Sequence, residues 1–372
     1  MPAETGWIGE RLGALRRWAQ WRAHELELAA LRRAHPLRYL FLEVTRRCNL
    51  ACAYCGSACG PEAQGSELSL DEWIGVARQI AEDFDPSQVM VAVTGGEPLM
   101  KKGVLELMEE LGRLGFPFGM VTNGHLLTPE AAERLVSGGM TSLSLSLDAP
   151  GELNDTLRGE GSAWAVERAV NLLRAAGFRG LLEIITTVTT PALEQLSKMR
   201  EHVARMKVER WRLAPVMPIG RAAGRPELVP DASGILRLLE FVRASRDDGL
   251  LPSPQFCDEG FLGKRYEGKV RPYLGCCLSG ITIGGVLHDG RIGACPELGD
   301  AFVQGDIRHE RFSEVWDQRY QALRDRGWTR KGECARCPEF RRCQGGALHL
   351  YPTPQDEPLR CLYLMAGRGR AG

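Results

Sequence analysis

From residue 39 onward the chain alternates short apolar runs with longer segments in which apolar residues recur every few positions. The runs fall at 39–44, 89–94, 117–122, 141–147, 181–188 and 209–214. The periodic segments fall near 70–84, 102–114, 129–137, 163–176 and 192–206. Short apolar runs predict strands, and helical spacing predicts helices. Ser69 and Thr128 stand where helix N-caps belong, and Gly115 and Gly177 where helices should stop. Strands separated by helices form parallel β/α units. Six such units predict an α/β fold, a partial (β/α)6 TIM-like barrel. Residues 218–230, with three prolines and two glycines, read as a loop over one face. A helix near 231–247 then closes the barrel. A small cysteine-rich region begins near Pro252, which divides the chain into 39–250 and 251–372.

Ahead of the barrel, residues 1–38 form an extension. Ile8, Leu12, Leu15, Trp18 and Trp21 recur near helical spacing, so 8–34 reads as one amphipathic helix or two. A helix packed across the barrel is the favoured reading; a helix for a partner or a membrane surface is the other. Arginines at 11, 16, 17, 22, 32 and 33 interrupt any signal-peptide core, and no apolar run reaches transmembrane length. A cytoplasmic protein is expected.

The chain's 47 basic and 47 acidic residues cancel, so net charge points to no nucleic-acid or anionic-membrane surface. Cysteine usage changes the picture more. The twelve cysteines lie in 48–59 and 257–361, with none between. That distribution suits metal sites better than a secreted disulfide framework.

Cys48, Cys52 and Cys55 stand at the spacing C-x3-C-x2-C. Three thiolates on one loop can hold three corners of a cubic iron–sulfur cluster and leave the fourth iron open to a small molecule. Zinc would want a closed set of four, for which Cys59 is available. Disulfides here would close very small loops. Further on, the apolar strand at 89–94 runs into Gly95-Gly96-Glu97-Pro98. Two glycines let a backbone approach a ligand closely, and the adjacent carboxylate can receive an amine. Both motifs follow strands and so fall on the face where parallel α/β folds place their sites.

Loop and turn, in this order and at this distance, resemble the radical SAM superfamily. The resemblance implies a [4Fe–4S] cluster whose open iron chelates the amine and carboxylate of S-adenosylmethionine, with Gly95–Pro98 meeting the same amine. It also implies cofactor contacts for Ser144, Ser146 and Asp148, which alternate onto one side of a strand, and for Arg158. Tyr54 either flanks the adenine or belongs to the core. Thr122-Asn123-Gly124 also matches, chiefly as turn geometry.

Cys277, Gly290, Cys295, Cys334, Cys337, Cys343 and Cys361 resemble the SPASM extension of that superfamily, which carries auxiliary iron–sulfur clusters. The second auxiliary set, Cys334, Cys337, Cys343 and Cys361, is complete. The first is one cysteine short, because Ala347 occupies the expected position. Cys277 and Cys295 therefore need another ligand, for which Cys276, Cys257 and His349 are the candidates. A [2Fe–2S] cluster, a cluster with an open iron and no cluster at all each fit, so one or two auxiliary clusters are expected. Residues 319–342 carry eight arginines and lysines against three carboxylates, a patch suited to an anionic cluster or to an acidic electron donor such as flavodoxin or ferredoxin.

The implied activity is reductive cleavage of S-adenosylmethionine to a 5′-deoxyadenosyl radical that takes a hydrogen atom from a substrate. A peptide or protein side chain is the first substrate class, and a small molecule such as a tetrapyrrole or sugar intermediate the second. A non-catalytic iron–sulfur or zinc protein is the reading of another class; an open iron beside an amine-binding turn argues against it.

Overall fold

The structure, a computed structural model, describes residues 3–367 except Asp247, Asp258 and Glu259, with side chains from Ala19 onward. Met1–Pro36 and Leu37–Gly372 are two contact units. In the first, α1 (Ala3–Ala34) is one unbroken helix ending on Arg32 and Arg33, cations that suit the negative end of the helix dipole. The side chains of Ile8, Leu12, Leu15 and Trp18 lie outside the described residues. Among the described residues no helix is long and apolar enough to cross a membrane.

The second unit is built on a ten-stranded sheet. The six expected strands form where the apolar runs lie: β1 (Tyr39–Glu43), β2 (Met90–Thr94), β3 (Phe118–Thr122), β4 (Ser142–Ser146), β5 (Leu181–Val188) and β6 (Arg210–Pro215). They pair in sequence order, all parallel. Helices return the chain between them: α2 (Leu70–Asp83), α3 (Val104–Arg113), α4 (Pro129–Ser137), α5 (Glu152–Arg158), α6 (Ser162–Ala175), α7 (Thr190–Leu193), α8 (Leu196–Met206) and α9 (Ala232–Ser245). This is the partial barrel that the alternation implied.

The predicted helix boundaries have the expected causes. Ser69 and Glu72 form a reciprocal capping box at the start of α2. Thr128 caps α4 with its hydroxyl. Gly115 and Gly177 take left-handed φ of 88° and 82° after α3 and α6. In each case the following amide reaches back to close a Schellman turn: Phe116 N to Leu111 O and Phe178 N to Leu173 O.

Four short strands were not legible in the sequence. β7 (Pro254–Phe256) extends the sheet beyond β6, and β8 (Ile283–Val286) pairs in parallel with the free side of β1. β9 (Arg291–Gly293) and β10 (Gly305–Asp306) then add antiparallel. The cysteine-rich region thus shares one sheet with the barrel, and no break in the sheet marks residue 250.

Alternation along β4 sorts the barrel's two sides. Leu143 and Leu145 are fully buried in the core that Val166, Ala169 and Val170 of α6 also enter, while Ser142, Ser144 and Ser146 are half-buried. Truncating Leu145 to alanine leaves a void in this layer. The expected loss is about 2–5 kcal/mol of unfolding free energy, read as a lower denaturant midpoint at unchanged slope.

Candidate active site

Beyond the end of β1 the chain runs Thr45-Arg46-Arg47 and opens into the cysteine loop. The loop closes at its neck, where Arg47 bridges Gly60 and Cys48 N donates to Gly60 O at 3.1 Å. The turn after β2 lies directly on this neck. Gly96 N donates to Thr45 O at 2.8 Å and Glu97 N to Arg47 O at 3.0 Å. Gly95 has a φ of 146°, and a Cβ there would drive into the Thr45 carbonyl oxygen; one on Gly96 would meet the Arg47 carbonyl oxygen. The two glycines thus allow one backbone to lie on another. The close approach that the glycines permit is to the chain's own Thr45 and Arg47 carbonyls.

Glu97 requires a correction. Its carboxylate, read as an amine receptor, is fully buried and turned inward. It accepts from Thr122 Oγ1 at 2.8 and 2.9 Å, from Asn123 N at 2.8 Å and from Leu99 N at 3.2 Å. Burial raises its pKa, and these donors oppose the rise. Glu97 therefore ties the ends of β2 and β3 together. Pro98 starts the short turn that Glu97 caps.

Cys48 and Cys59 are buried, and Cys52 and Cys55 pack against them. Asn123, at the end of β3, brings its Nδ2 to 3.8 Å from Cys48 Sγ and donates to Asn49 at 2.8 Å. Burial pushes the Cys48 thiol up to about 11 and also raises Cys52, against the nearby Arg158 charge. Cys55 is the exception. A hydrogen bond between the Cys59 and Cys55 sulfurs lowers Cys55 and raises Cys59. Among the described residues no three His, Cys, Asp or Glu side chains are grouped to hold a single metal ion. A cubic cluster needs no such convergence, since each thiolate meets its own iron. Three soft sulfur donors on one loop, buried beside a backbone turn, fit that group.

A second clasp was missed by sequence reasoning. Arg221 donates from Nε to Cys52 O and from Nη1 to Cys59 O, both at 2.7 Å, and its N donates to Cys55 O at 3.0 Å. Gly220, at φ 55°, lies so close to the Cys55 and Gly56 carbonyls that no side chain fits. The contacts span more than 160 residues of chain, and the only signal was the Pro/Gly-rich loop that carries them.

Asp148 is also turned inward. Its Oδ1 accepts from Thr187 N at 2.8 Å, and its Oδ2 accepts from Tyr54 OH and from Arg158 Nη1 at 3.2 Å. Arg158 Nη1 reaches Tyr54 OH at 2.7 Å. Tyr54 is buried and packed with Leu157, Val216 and Leu228, as the core alternative of its two readings has it. Arg158 Nε is buried and without a hydrogen-bond partner. Ser144 donates to Glu183 at 3.2 Å; Glu183 in turn is gripped by Arg212 Nε at 2.8 Å from both oxygens. Ser146 ends the strand, half-buried.

In the C-terminal region Cys334, Cys337, Cys343 and Cys361 are brought within electrostatic reach of one another. Burial raises Cys334 and Cys343, and neighbouring thiolates raise them further. Tyr351 hydrogen-bonds Cys334. Ala347 is buried, leading the turn Leu348–Leu350. Cys277 is buried and Cys295 half-buried.

Fold and site define an enzyme that binds a cysteine-held iron–sulfur cluster at the mouth of a parallel barrel. Residues 42–205 match the radical SAM superfamily and 276–338 the SPASM iron–sulfur cluster-binding domain. The chain is 31% identical to the mycofactocin maturase MftC of Mycolicibacterium smegmatis, over 82% of this chain and 76% of that one. It is 28% identical to the AdoMet-dependent heme synthase of Nitratidesulfovibrio vulgaris, over 86% and 91%. Its fold matches native anSMEcpe with bound AdoMet (TM-score 0.69, 19% identity, 89% and 94% covered). It also matches Streptococcus suis SuiB bound to precursor peptide SuiA (0.68, 19%, 89% and 78%). The chain belongs to the radical SAM superfamily, with a C-terminal SPASM domain, and is an enzyme using a [4Fe–4S] cluster, S-adenosylmethionine and auxiliary iron–sulfur clusters.

Two substitutions test the loop geometry. Gly96→Val forces apart the Gly96 and Arg47 backbones; reconstituted iron should fall by about the content of one four-iron cluster, measured against wild type. Cys59→Ala should keep iron content and S-adenosylmethionine cleavage near wild type; loss of the cluster from that change alone would make Cys59 a fourth ligand.

Proposed function

We propose that this enzyme abstracts a hydrogen atom from a peptide or protein side chain. The observation that carries the chemistry is the joining of the cysteine-loop neck to the Gly95–Glu97 turn at the C-terminal ends of β1 and β2. Bound together, the cluster and S-adenosylmethionine supply a one-electron carbon–sulfur cleavage that yields a 5′-deoxyadenosyl radical. In this reading Cys48, Cys52 and Cys55 hold the cluster. The backbone of Gly95–Pro98 meets the cofactor amine. Arg158 offers its unpartnered Nε to the carboxylate and is held in place by Asp148 and Tyr54. Ser146 faces the ribose, and Ser144 acts indirectly, through Glu183. Buried walls exclude water from the reacting centre, which is the protein's share of cofactor chemistry.

The peptide substrate rests on the likeness to the mycofactocin maturases. A tetrapyrrole substrate is the second reading, favoured by the heme synthases at 28% identity over 86–88% of this chain. A cytoplasmic enzyme reduced by a flavodoxin or ferredoxin, docked on the exposed arginines 319, 330, 336 and 341 of the segment 319–342, completes the proposal; Arg324 and Arg326 of that segment are buried and take no part in the docking.

Replacing Cys48, Cys52 and Cys55 together with alanine should reduce 5′-deoxyadenosine formation under dithionite to background. Unchanged formation would sink the assignment. For the substrate, a precursor peptide of a mycofactocin maturase and an iron porphyrin are each added to the wild-type enzyme. A mass change in the peptide, with the porphyrin untouched, is expected; the reverse establishes the second reading.

A further inference from the structure

The SPASM pattern lacks one cysteine at Ala347, and two residues later stands His349, with a side chain only 8% exposed. His349 Nδ1 faces the Glu297 carboxylate at 3.7 Å. His349 Nε2 is buried and has no hydrogen-bond partner. A neutral imidazole places its proton on the nitrogen that faces an acceptor, so Nε2 carries the lone pair. Carboxylate on one nitrogen and an open lone pair on the other is the arrangement that metal-ligating histidines adopt.

Glu297 belongs to the turn that Cys295 opens, closed by Leu298 N to Cys295 O at 3.0 Å. That turn also meets the histidine segment at a second point: a Cβ on Gly299 would stand 3.7 Å from Pro352 O. The Cys277 side is linked to the same neighbourhood through Arg326 and Thr329. Arg326 Nη2 donates to Cys277 O at 2.6 Å, Thr329 Oγ1 donates to Arg326 O at 2.7 Å, and Thr329 packs against Gly345, just ahead of Ala347. Arg326 is itself buried, and its Nη1 is without a partner. A buried guanidinium with an unmet donor is expensive unless an anion stands near it. A thiolate-held cluster is such an anion.

The other two candidate thiols are already engaged by neighbouring polar groups. Cys257 receives Arg212 Nη1 at 3.4 Å, beside Glu183 on the barrel strands. Cys276 Sγ is directed at Cys277 O, 3.6 Å away.

We infer that His349 replaces the missing cysteine, its Nε2 binding an iron of a first auxiliary cluster also held by Cys277 and Cys295, with Glu297 orienting the ring and Arg326 compensating the charge. The inference rests on the iron–sulfur assignment of the C-terminal region. Imidazole in place of thiolate removes negative charge from a cluster and raises its potential. The first auxiliary cluster is therefore the stronger electron acceptor of the two.

The test uses the full chain with Cys48, Cys52 and Cys55 changed to alanine, so that only auxiliary iron remains. The protein is reconstituted with iron and sulfide after growth on 15N-histidine. Iron counting and Mössbauer spectra should give iron beyond the roughly four atoms that one four-cysteine cluster holds. Pulsed EPR of the reduced sample should show strong 15N coupling from a bound imidazole. Adding His349→Cys should keep the iron and abolish that coupling; adding His349→Ala should make the extra iron labile to chelators. Extra iron without nitrogen coupling, or only the iron of one cluster, overturns the inference while leaving the iron–sulfur assignment intact. Absence of all auxiliary iron overturns both.

Discussion

The active site depends on one backbone contact that tolerates no side chain. Gly95 and Gly96 bring the turn after β2 onto Thr45–Arg47, and two amide-to-carbonyl bonds lock it there. Only a chain without Cβ atoms, one residue of it at φ 146°, can make that approach. Cys48 follows within one residue of Arg47, so the contact sets where the first thiolate stands relative to the turn. Glu97 then binds the turn to β3 through Thr122 and Asn123, and Asn123 reaches Cys48. Three strand ends and the first thiolate thus form one hydrogen-bonded body.

The same logic explains why several polar side chains of the site face inward. A site for a charged cofactor must be both open and rigid, and rigidity near a loop comes from buried hydrogen bonds. Asp148 and Glu97 supply it as acceptors, Tyr54 and Arg158 as donors. Arg221 supplies it from outside the barrel strands, donating to loop carbonyls and leaving the sulfurs to the metal. Its charge also favours the thiolate at Cys52 and Cys55. The loop needs this support, because the twelve residues from Cys48 to Cys59 have little secondary structure of their own.

The six main strands and the helix caps were legible because their signals are local. Leu143 and Leu145 alternate with serines, and Ser69, Thr128, Gly115 and Gly177 act within a few residues of where they stand. Cysteine spacing was legible for the same reason. Direction was not. Nothing in the string Gly-Gly-Glu-Pro says that Glu97 turns inward, since its partners Thr122 and Asn123 lie at the end of the next strand. The pairing of β8 with β1 was hidden because Ile283–Val286 is short and half glycine. Arg221 was hidden because its partners are distant in sequence.

β1 is the element on which the two metal-binding regions meet. On one side it pairs with β2, whose end carries Gly95–Pro98; on the other it pairs with β8, which belongs to the cysteine-rich region. Just beyond β8, His288 Nδ1 meets Glu43, the last residue of β1, at 3.0 Å, and both are buried. The charge of Glu43 is in turn felt by Cys59 in the cluster loop. β9, one strand further out, leads into Cys295. Electron exchange between clusters requires a fixed separation, and a hinge between two lobes would vary it. A shared sheet has no such hinge: moving the C-terminal region would break β1–β8 hydrogen bonds and strand a buried histidine–carboxylate pair. The pairing of β8 with β1 therefore fixes the auxiliary clusters relative to the site where the radical forms.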